Sequence, residues 1–322
     1  MRPIILSLLT IAFISFYFYK DFTEPKLPII AIANYGPHSS LDDTITGIKE
    51  ELKSKGYIEN KNIIFDIEDV SFDSALIPQM ITKLYAKKPT VMITLTTPVS
   101  QFAKNTIKDT PIIFAANTDP IQAGLLKNPN KSENNFTCSA DKQDLELVLQ
   151  FAKKLLPKAK KVGVLYSTAE ANDFALIKML DIATKNNNMD VVAIAIDQPR
   201  DIPMRMQKFK DNVDFIYVGT SGPIQPALPT IISEANKMNI PIINVNEEAV
   251  KNNQVLASYG VDYIKIGRNT GDMVVSILNN NQLPDPIYPL PQDHRGYISL
   301  KKAKYFHINI PTSLENVSLV EE

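Results

Sequence analysis

One strand–turn–helix pattern is written twice, once in each half of the chain, and each copy closes on Pro-Ile-Ile followed by polar residues. In the first half Thr90–Leu95 reads as an apolar strand, Thr96-Thr97-Pro98-Val99-Ser100-Gln101 as a turn opening a helix, and Pro111–Phe114 as a second strand running into Asn117-Thr118-Asp119. In the second half Asp214–Val218, Gly219–Gln225 and Pro241–Val245 repeat that order and end in Asn246-Glu247. Such a chain has few folds open to it. In open parallel α/β sheets the carboxyl ends of the strands carry loops and helix N-termini free of packing duties, and ligands bind there. Two halves with polar strand ends predict two lobes facing one cleft. The same Thr and Asn side chains also suit plain capping of the helices that follow.

Length and composition agree with that outline. A chain of 322 residues is too long for one ordinary α/β core and fits two domains, and 44% hydrophobic with 21% charged residues is ordinary for a globular protein. Lys and Arg total 34 against 35 acidic residues, a formal charge of -1. Without a basic field, nucleic acid is excluded as an expected partner.

Residues 1–27 carry a different message. Arg2 is followed by an uncharged apolar run from Pro3 to Tyr19 and then Lys20, the pattern of a secretory signal. The run is nearly long enough to span hydrocarbon, and no small-x-small cleavage site precedes Lys20, so a removed signal peptide and a retained membrane anchor both fit. The body is expected in the periplasm or on the extracytoplasmic face of the cytoplasmic membrane. Cys138 is the sole cysteine, which excludes an intramolecular disulfide and reads as a small buried hydrophobe.

From Pro28 strands and helices alternate, as in sheets covered on both faces. Ile29–Asn34 is a continuous apolar strand, and Leu41, Ile45, Ile48 and Leu52 mark one face of the next helix, with Ser39 or Ser40 placed to cap it and Gly56 to stop it. Helical stretches are predicted near 74–87 and 98–107, and the Asn-, Lys- and Pro-rich segment 124–137 leads to the first crossing between lobes. Strands at Lys161–Tyr166, Val191–Ile196, Phe215–Val218, Ile242–Val245 and Val255–Ser258 form the second set. The amphipathic helix carrying Ile264, Ile266, Met273, Val274, Ile277 and Leu278 cannot bury its face alone, so it returns to a lobe already built. The expected division is 28–137 plus 260–283 for the N-terminal lobe and 138–259 plus 284–322 for the C-terminal lobe, joined by a multi-strand hinge.

The run Gly47-Ile48-Lys49-Glu50-Glu51-Leu52 through Gly56-Tyr57-Ile58-Glu59-Asn60-Lys61-Asn62 resembles a segment of ABC-transporter substrate-binding proteins. The likeness continues in Thr97–Gln101, Thr118–Leu125, Leu155–Tyr166, Glu170-Ala171-Asn172, Leu256–Tyr263 and Ile266-Gly267-Arg268. The resemblance implies the type I periplasmic-binding-protein fold, two Rossmann-like lobes with parallel sheets, and relatives that bind tryptophan, tyrosine or phenylalanine. Carried over residue by residue, it implies a cleft lined by Tyr35, His38, Thr96, Thr97, Gln101, Thr118 and Asp119 from one lobe. Tyr166, Glu170, Asn172, Thr220 and Ser221 would face them from the other, with Asn246 and Glu247 near the hinge. Helix N-termini and hydroxyls would hold a carboxylate, and a buried Asp or Glu would pair with an ammonium.

One departure stands out. Amino-acid-binding relatives tend to carry an Asp-Asn pair after the Thr, where this chain has Ser221-Gly222, and Ser-Asp-Glu-Asp where it has Val245-Asn246-Glu247-Glu248. The most obvious ammonium partner is therefore missing from its usual position.

No catalytic set competes. His38, His294 and His307 show no ligand spacing for a metal, Asp293-His294-Arg295 reads as surface polar contacts, Gly219–Pro223 lacks the second glycine of a nucleophile elbow, and no Gly-rich phosphate loop follows a strand. No cofactor and no enzyme activity are expected. The implied function is an extracytoplasmic receptor, monomeric, that closes on a small metabolite such as an amino acid and delivers it to a membrane permease with its cytoplasmic ATPase. The alternative is an anchored sensor whose closed form is read by a signalling partner.

Overall fold

The computed structural model describes residues 27–321. The segment expected to direct export, up to residue 26, lies outside the described residues. Among the described residues no helix is long and apolar enough to cross a membrane.

The first sheet has the order β2-β1-β3-β4-β5, all parallel, from β1 (Ile29–Asn34), β2 (Ile64–Asp69), β3 (Val91–Leu95), β4 (Ile112–Ala115) and β5 (Phe136–Ser139). The central strands β1, β3 and β4 are apolar almost throughout and buried on both faces, while β2 at the edge alternates with solvent. The second sheet has the order β12-β11-β10-β9-β8-β6-β7. It is built from β6 (Lys161–Ser167), β7 (Asp190–Ile196), β8 (Phe215–Val218), β9 (Ile242–Asn244), β10 (Ala257–Val261), β11 (His294–Ser299) and β12 (Val317–Val320). Its strands are parallel except where β11 runs antiparallel to β10.

The longer helices are α1 (Ser39–Ser54), α2 (Ile77–Ala86), α3 (Thr97–Thr106), α4 (Leu145–Leu155), α5 (Ala171–Asn186), α6 (Leu228–Lys237) and α7 (Tyr263–Asn280). Neither Ser39 nor Ser40 caps α1. His38 does, with Nδ1 accepting from the Ser40 N–H at 3.3 Å, because both serines already lie in the first turn. At the other end Gly56 turns the chain with φ +88°, a left-handed conformation that costs glycine nothing.

The chain passes between the lobes after β5, after β10 and again after Ile287, which bridges to Ser139. The first crossing therefore falls beyond the end of 124–137: Phe136–Ser139 is the fifth strand of the first sheet. It has no apolar run to announce it, and its pairing with β4 decides the matter. Gly260 and Val261 likewise remain in the second sheet as part of β10. His294 is not a surface residue: it is buried in β11, and its Nε2 accepts from the Asp144 N–H at 3.0 Å. Cys138 is buried, and burial pushes its thiol up to about 12, so it is inert.

Helix α7 lies against α1 in the first lobe and adds Ile266, Met273, Val274 and Ile277 to the core around Ile30, Ile48 and Leu52. Gly47 and Gly267 meet at the crossing, where any Cβ on Gly267 would stand 2.2 Å from the Thr44 carbonyl oxygen and 2.8 Å from Gly47 Cα. The second sheet carries separate cores on its two faces, one around Val148, Leu149 and Leu256 and the other around Phe209, Ile216 and Ile231. Each lobe is thus a sandwich of helices on a sheet, with the carboxyl ends of its parallel strands left to build a site.

Candidate functional site

The strand ends of both lobes meet around a cavity of about 60 Å³. Tyr35 and His38 follow β1, Thr96 and Thr97 follow β3, Ala116 and Thr118 follow β4, and Asp141 follows β5. From the second lobe come Glu170 and Asn172 after β6, Thr220, Ser221 and Gly222 after β8, and Val245 after β9. Two non-glycine residues with left-handed backbone stand at the rim, Thr96 at φ +75° and Ala116 at φ +51°. A β-branched residue rarely adopts that conformation, and surrounding structure must hold it there.

Direct hydrogen bonds join the lobes across the cavity. Tyr35 donates its hydroxyl to Glu170 Oε1 at 3.2 Å, Thr118 and Thr220 share a bond at 2.9 Å, and His38 Nε2 lies 3.3 Å from Gln225 Oε1. Nearby, Asn246 Nδ2 donates to Ser40 Oγ at 2.9 Å. Tyr35 also meets Phe72 edge to face at 5.5 Å, and with Leu41, Pro98 and Val245 they give the cavity an apolar wall.

The carboxylate absent from position 221 has two substitutes. Glu170 accepts from Gly222 N at 3.2 Å and from Asn172 Nδ2 at 3.2 Å. A Cβ on residue 222 would come within 2.6 Å of Glu170 Oε1 and 2.5 Å of Tyr35 Cε1, so glycine there makes room for both. Behind it, Asp173 accepts from Ser221 Oγ at 2.7 Å and from the Ser167 N–H at 2.5 Å. Burial raises the Glu170 carboxyl above its usual range, opposed by those hydrogen bonds. Burial, reinforced by the neighbouring Glu170 charge, pushes Asp173 up to about 7, and burial pushes Asp141 up to about 6. His38 is held below its ordinary value by burial.

The expected residues Gln101, Asp119, Tyr166, Asn246 and Glu247 do not line this cavity. Gln101 Nε2 donates to the Ala123 carbonyl, and Tyr166 packs against Phe174 at 6.0 Å. Asp119 accepts from the Ile121 and Gln122 N–H groups and pairs with Lys142 at 3.2 Å, so it caps its own turn. Burial raises its carboxyl, but the Gln122 and Lys142 contacts outweigh it and hold it below the usual value. Asn246 and Glu247 border a separate polar cleft with Asp43, Arg268 and Arg295, and Glu247 is paired with Lys251. Asp141, Tyr263, Phe72 and Gln225 line the cavity without having been marked by the sequence. Gln225 closes the second copy of the duplicated pattern and Tyr263 ends the segment Leu256–Tyr263, and these were the signals available.

Asp173 yields a pH prediction. Its folded pKa lies above its unfolded value, so the folded state binds the extra proton between about pH 4 and 7. Its favourable contribution is complete below the unfolded pKa and is lost as pH rises through about 7. His38 and His294, lowered by burial, act in the opposite sense, so the informative quantity is the difference from an Asp173→Asn variant. From pH 5 to 8 that difference is expected to shift toward the variant by about 3 kcal/mol, read by urea unfolding. A pH-independent difference would refute the assignment.

Residues 29–317 match the family model described as ABC transporter substrate binding protein. A tyrosine-binding protein of Clostridioides difficile strain R20291 is 32% identical over 266 residues, covering 83% of this chain and 77% of the relative. The structure of an ABC domain in complex with L-Trp from Streptococcus pneumonia aligns with a TM-score of 0.83 at 26% identity, covering 92% of this chain and 100% of that one. The ligand-free, open structure of a substrate binding protein with adhesive properties from Clostridium difficile gives 0.71 at 28% identity, with coverage of 92% and 99%. Identity and coverage barely differ between the two, so the gap lies in shape. The arrangement of this chain is the nearer to that of the tryptophan complex.

Proposed function

Because the chain belongs to the ABC transporter substrate-binding protein family, we propose that it receives an amino acid with an aromatic side chain between its lobes and hands it to an importing permease driven by a cytoplasmic ATPase. It is a substrate-binding protein and not an enzyme. The observation that carries the ligand class is the cavity itself, in which an apolar wall of Tyr35, Phe72, Pro98 and Val245 faces the buried carboxylates of Glu170 and Asp141. An amphipathic zwitterion suits such a lining. Relatives named for tyrosine and tryptophan support the same class.

The size of the cavity bears on how the ligand enters. At about 60 Å³ it is smaller than the roughly 150 Å³ that admits benzene in an engineered protein core. An aromatic side chain therefore requires Tyr35 and Phe72 to turn aside or the lobes to part. Contacts made to both lobes at once exist only when they are together, so the ligand shifts the population toward the closed form. Export by the apolar segment within residues 1–27 places this event outside the cytoplasmic membrane, with the protein acting as a monomer.

The test is native mass spectrometry of residues 27–322 after incubation with the twenty amino acids. Retention of tyrosine or tryptophan is the expected result. The chain contains no Trp, so bound tryptophan also reports through its own emission. A protein that retains no amino acid would overturn this reading. Loss of labelled tyrosine or tryptophan uptake in cells lacking the protein tests the transport step.

A further inference from the structure

Among the described residues, the buried side-chain oxygens without a hydrogen-bond partner include two that can only accept and that belong to residues lining the interlobe cavity: Asp141 Oδ1 and Asn172 Oδ1. Asp141 is 2% exposed and Asn172 6%. Asp141 Oδ2 accepts from the Tyr263 hydroxyl at 2.9 Å, which anchors the carboxylate and leaves Oδ1 as the unsatisfied atom. The orientation of the Asn172 amide is fixed by its surroundings. Its Nδ2 faces Glu170 Oε2 at 3.2 Å, Asp173 Oδ1 at 3.2 Å and the Thr220 carbonyl at 3.1 Å. Turning the amide over would set oxygen against three oxygens, so Oδ1 remains the free atom.

Unsatisfied buried acceptors are rare in folded proteins, and two at one cavity call for a group that supplies donors. The group must also suit the charge of the cavity, whose lining includes the carboxyls of Asp141 and Glu170. A carboxylate would meet like charge there, and a hydroxyl would offer a single donor. A primary ammonium offers three donors and the opposite charge.

We propose that the ligand's primary ammonium is held by Asp141 and Asn172, so that the pocket selects its cargo through the amine. This rests on the amino-acid reading and adds a recognition element that the sequence pattern, with Ser221-Gly222, had left without a residue. The raised carboxyl of Asp141 agrees with it, since burial disfavours the charged form until a cation arrives.

Calorimetric titration of the unaltered protein with tyrosine, tyramine and deaminotyrosine, and with tryptophan, tryptamine and indolepropionate, tests the proposal without depending on any variant. In the series whose amino acid binds, the compound lacking the amine is expected to bind about 100-fold more weakly than the amino acid, and more weakly than the compound lacking the carboxylate. The Asp141→Asn variant should lose about 30-fold for the amino acid and show no change for the deaminated compound. Deaminated compounds binding within threefold of the amino acids would overturn the proposal while leaving the receptor reading intact, and so would an equal loss for both compounds in the variant. Failure of every amino acid to bind would overturn both, and is distinguished by silence across the whole set.

Discussion

A Glu170→Ala variant is expected to bind its amino acid about 100-fold more weakly, a loss of roughly 3 kcal/mol. Three donors converge on this one carboxylate: the Tyr35 hydroxyl from the opposite lobe, the Gly222 N–H and Asn172 Nδ2. Removing it leaves the Gly222 N–H without its carboxylate and deletes the acceptor of the Tyr35 contact between the lobes. Asn172 keeps Asp173 and the Thr220 carbonyl as acceptors, so its own position should survive. A Glu170→Gln variant retains one acceptor oxygen and should recover part of the loss. The measurement is titration calorimetry with tyrosine and tryptophan, beside thermal melts that verify folding. An affinity within threefold of the parent would show that the lobe-bridging contact is incidental.

The second large effect lies at a helix crossing and not in the cavity lining. Gly267→Ala should destabilise the protein by about 3 kcal/mol, because the added methyl would stand 2.2 Å from the Thr44 carbonyl oxygen and 2.8 Å from Gly47 Cα. Those are backbone atoms, so no side chain can rotate away to make room. The helices must separate, loosening Ile48 and Leu52 against Ile266 and Met273. In a chain of this size the midpoint of thermal unfolding should fall by about 5 °C, measured by calorimetry. Helix α7 begins at Tyr263, whose hydroxyl holds Asp141, so the variant should bind ligand more weakly even below its melting point. A melting point unchanged within two degrees would mean that the close crossing of α1 and α7 is not present in solution.

The two departures at 221 and 222 show where reading the chain alone reached its limit. Ser221-Gly222 reads as the loss of an acidic group. In the fold, Gly222 admits Glu170 to the cavity and Ser221 donates to Asp173. The resemblance puts Glu170 at the cleft, but that it and Asp173 stand in for the acid missing at 221 is not legible along the chain, because residues 170, 173 and 221 meet only when β6 and β8 pair. Asp119 fails in the other direction. It follows a strand as a binding residue should, but the Ile121 and Gln122 N–H groups lie close enough in sequence to claim it.

What the sequence determined by itself was the alternation of strand and helix, the duplicated pattern, and hence which loops sit at carboxyl ends of strands. Tyr35, His38, Thr96, Thr97, Thr118, Glu170, Asn172, Thr220 and Ser221 reach the cavity for that reason. Period and capping are local properties, and they are legible along the chain. The tertiary structure decided the rest: that Phe136–Ser139 is a strand, that His294 is buried, that α7 returns to α1 through two glycines, and that Asp141 faces the cavity with one oxygen anchored and one free. These depend on which surfaces meet, and a residue's partners across a crossing are set by packing between segments distant in sequence.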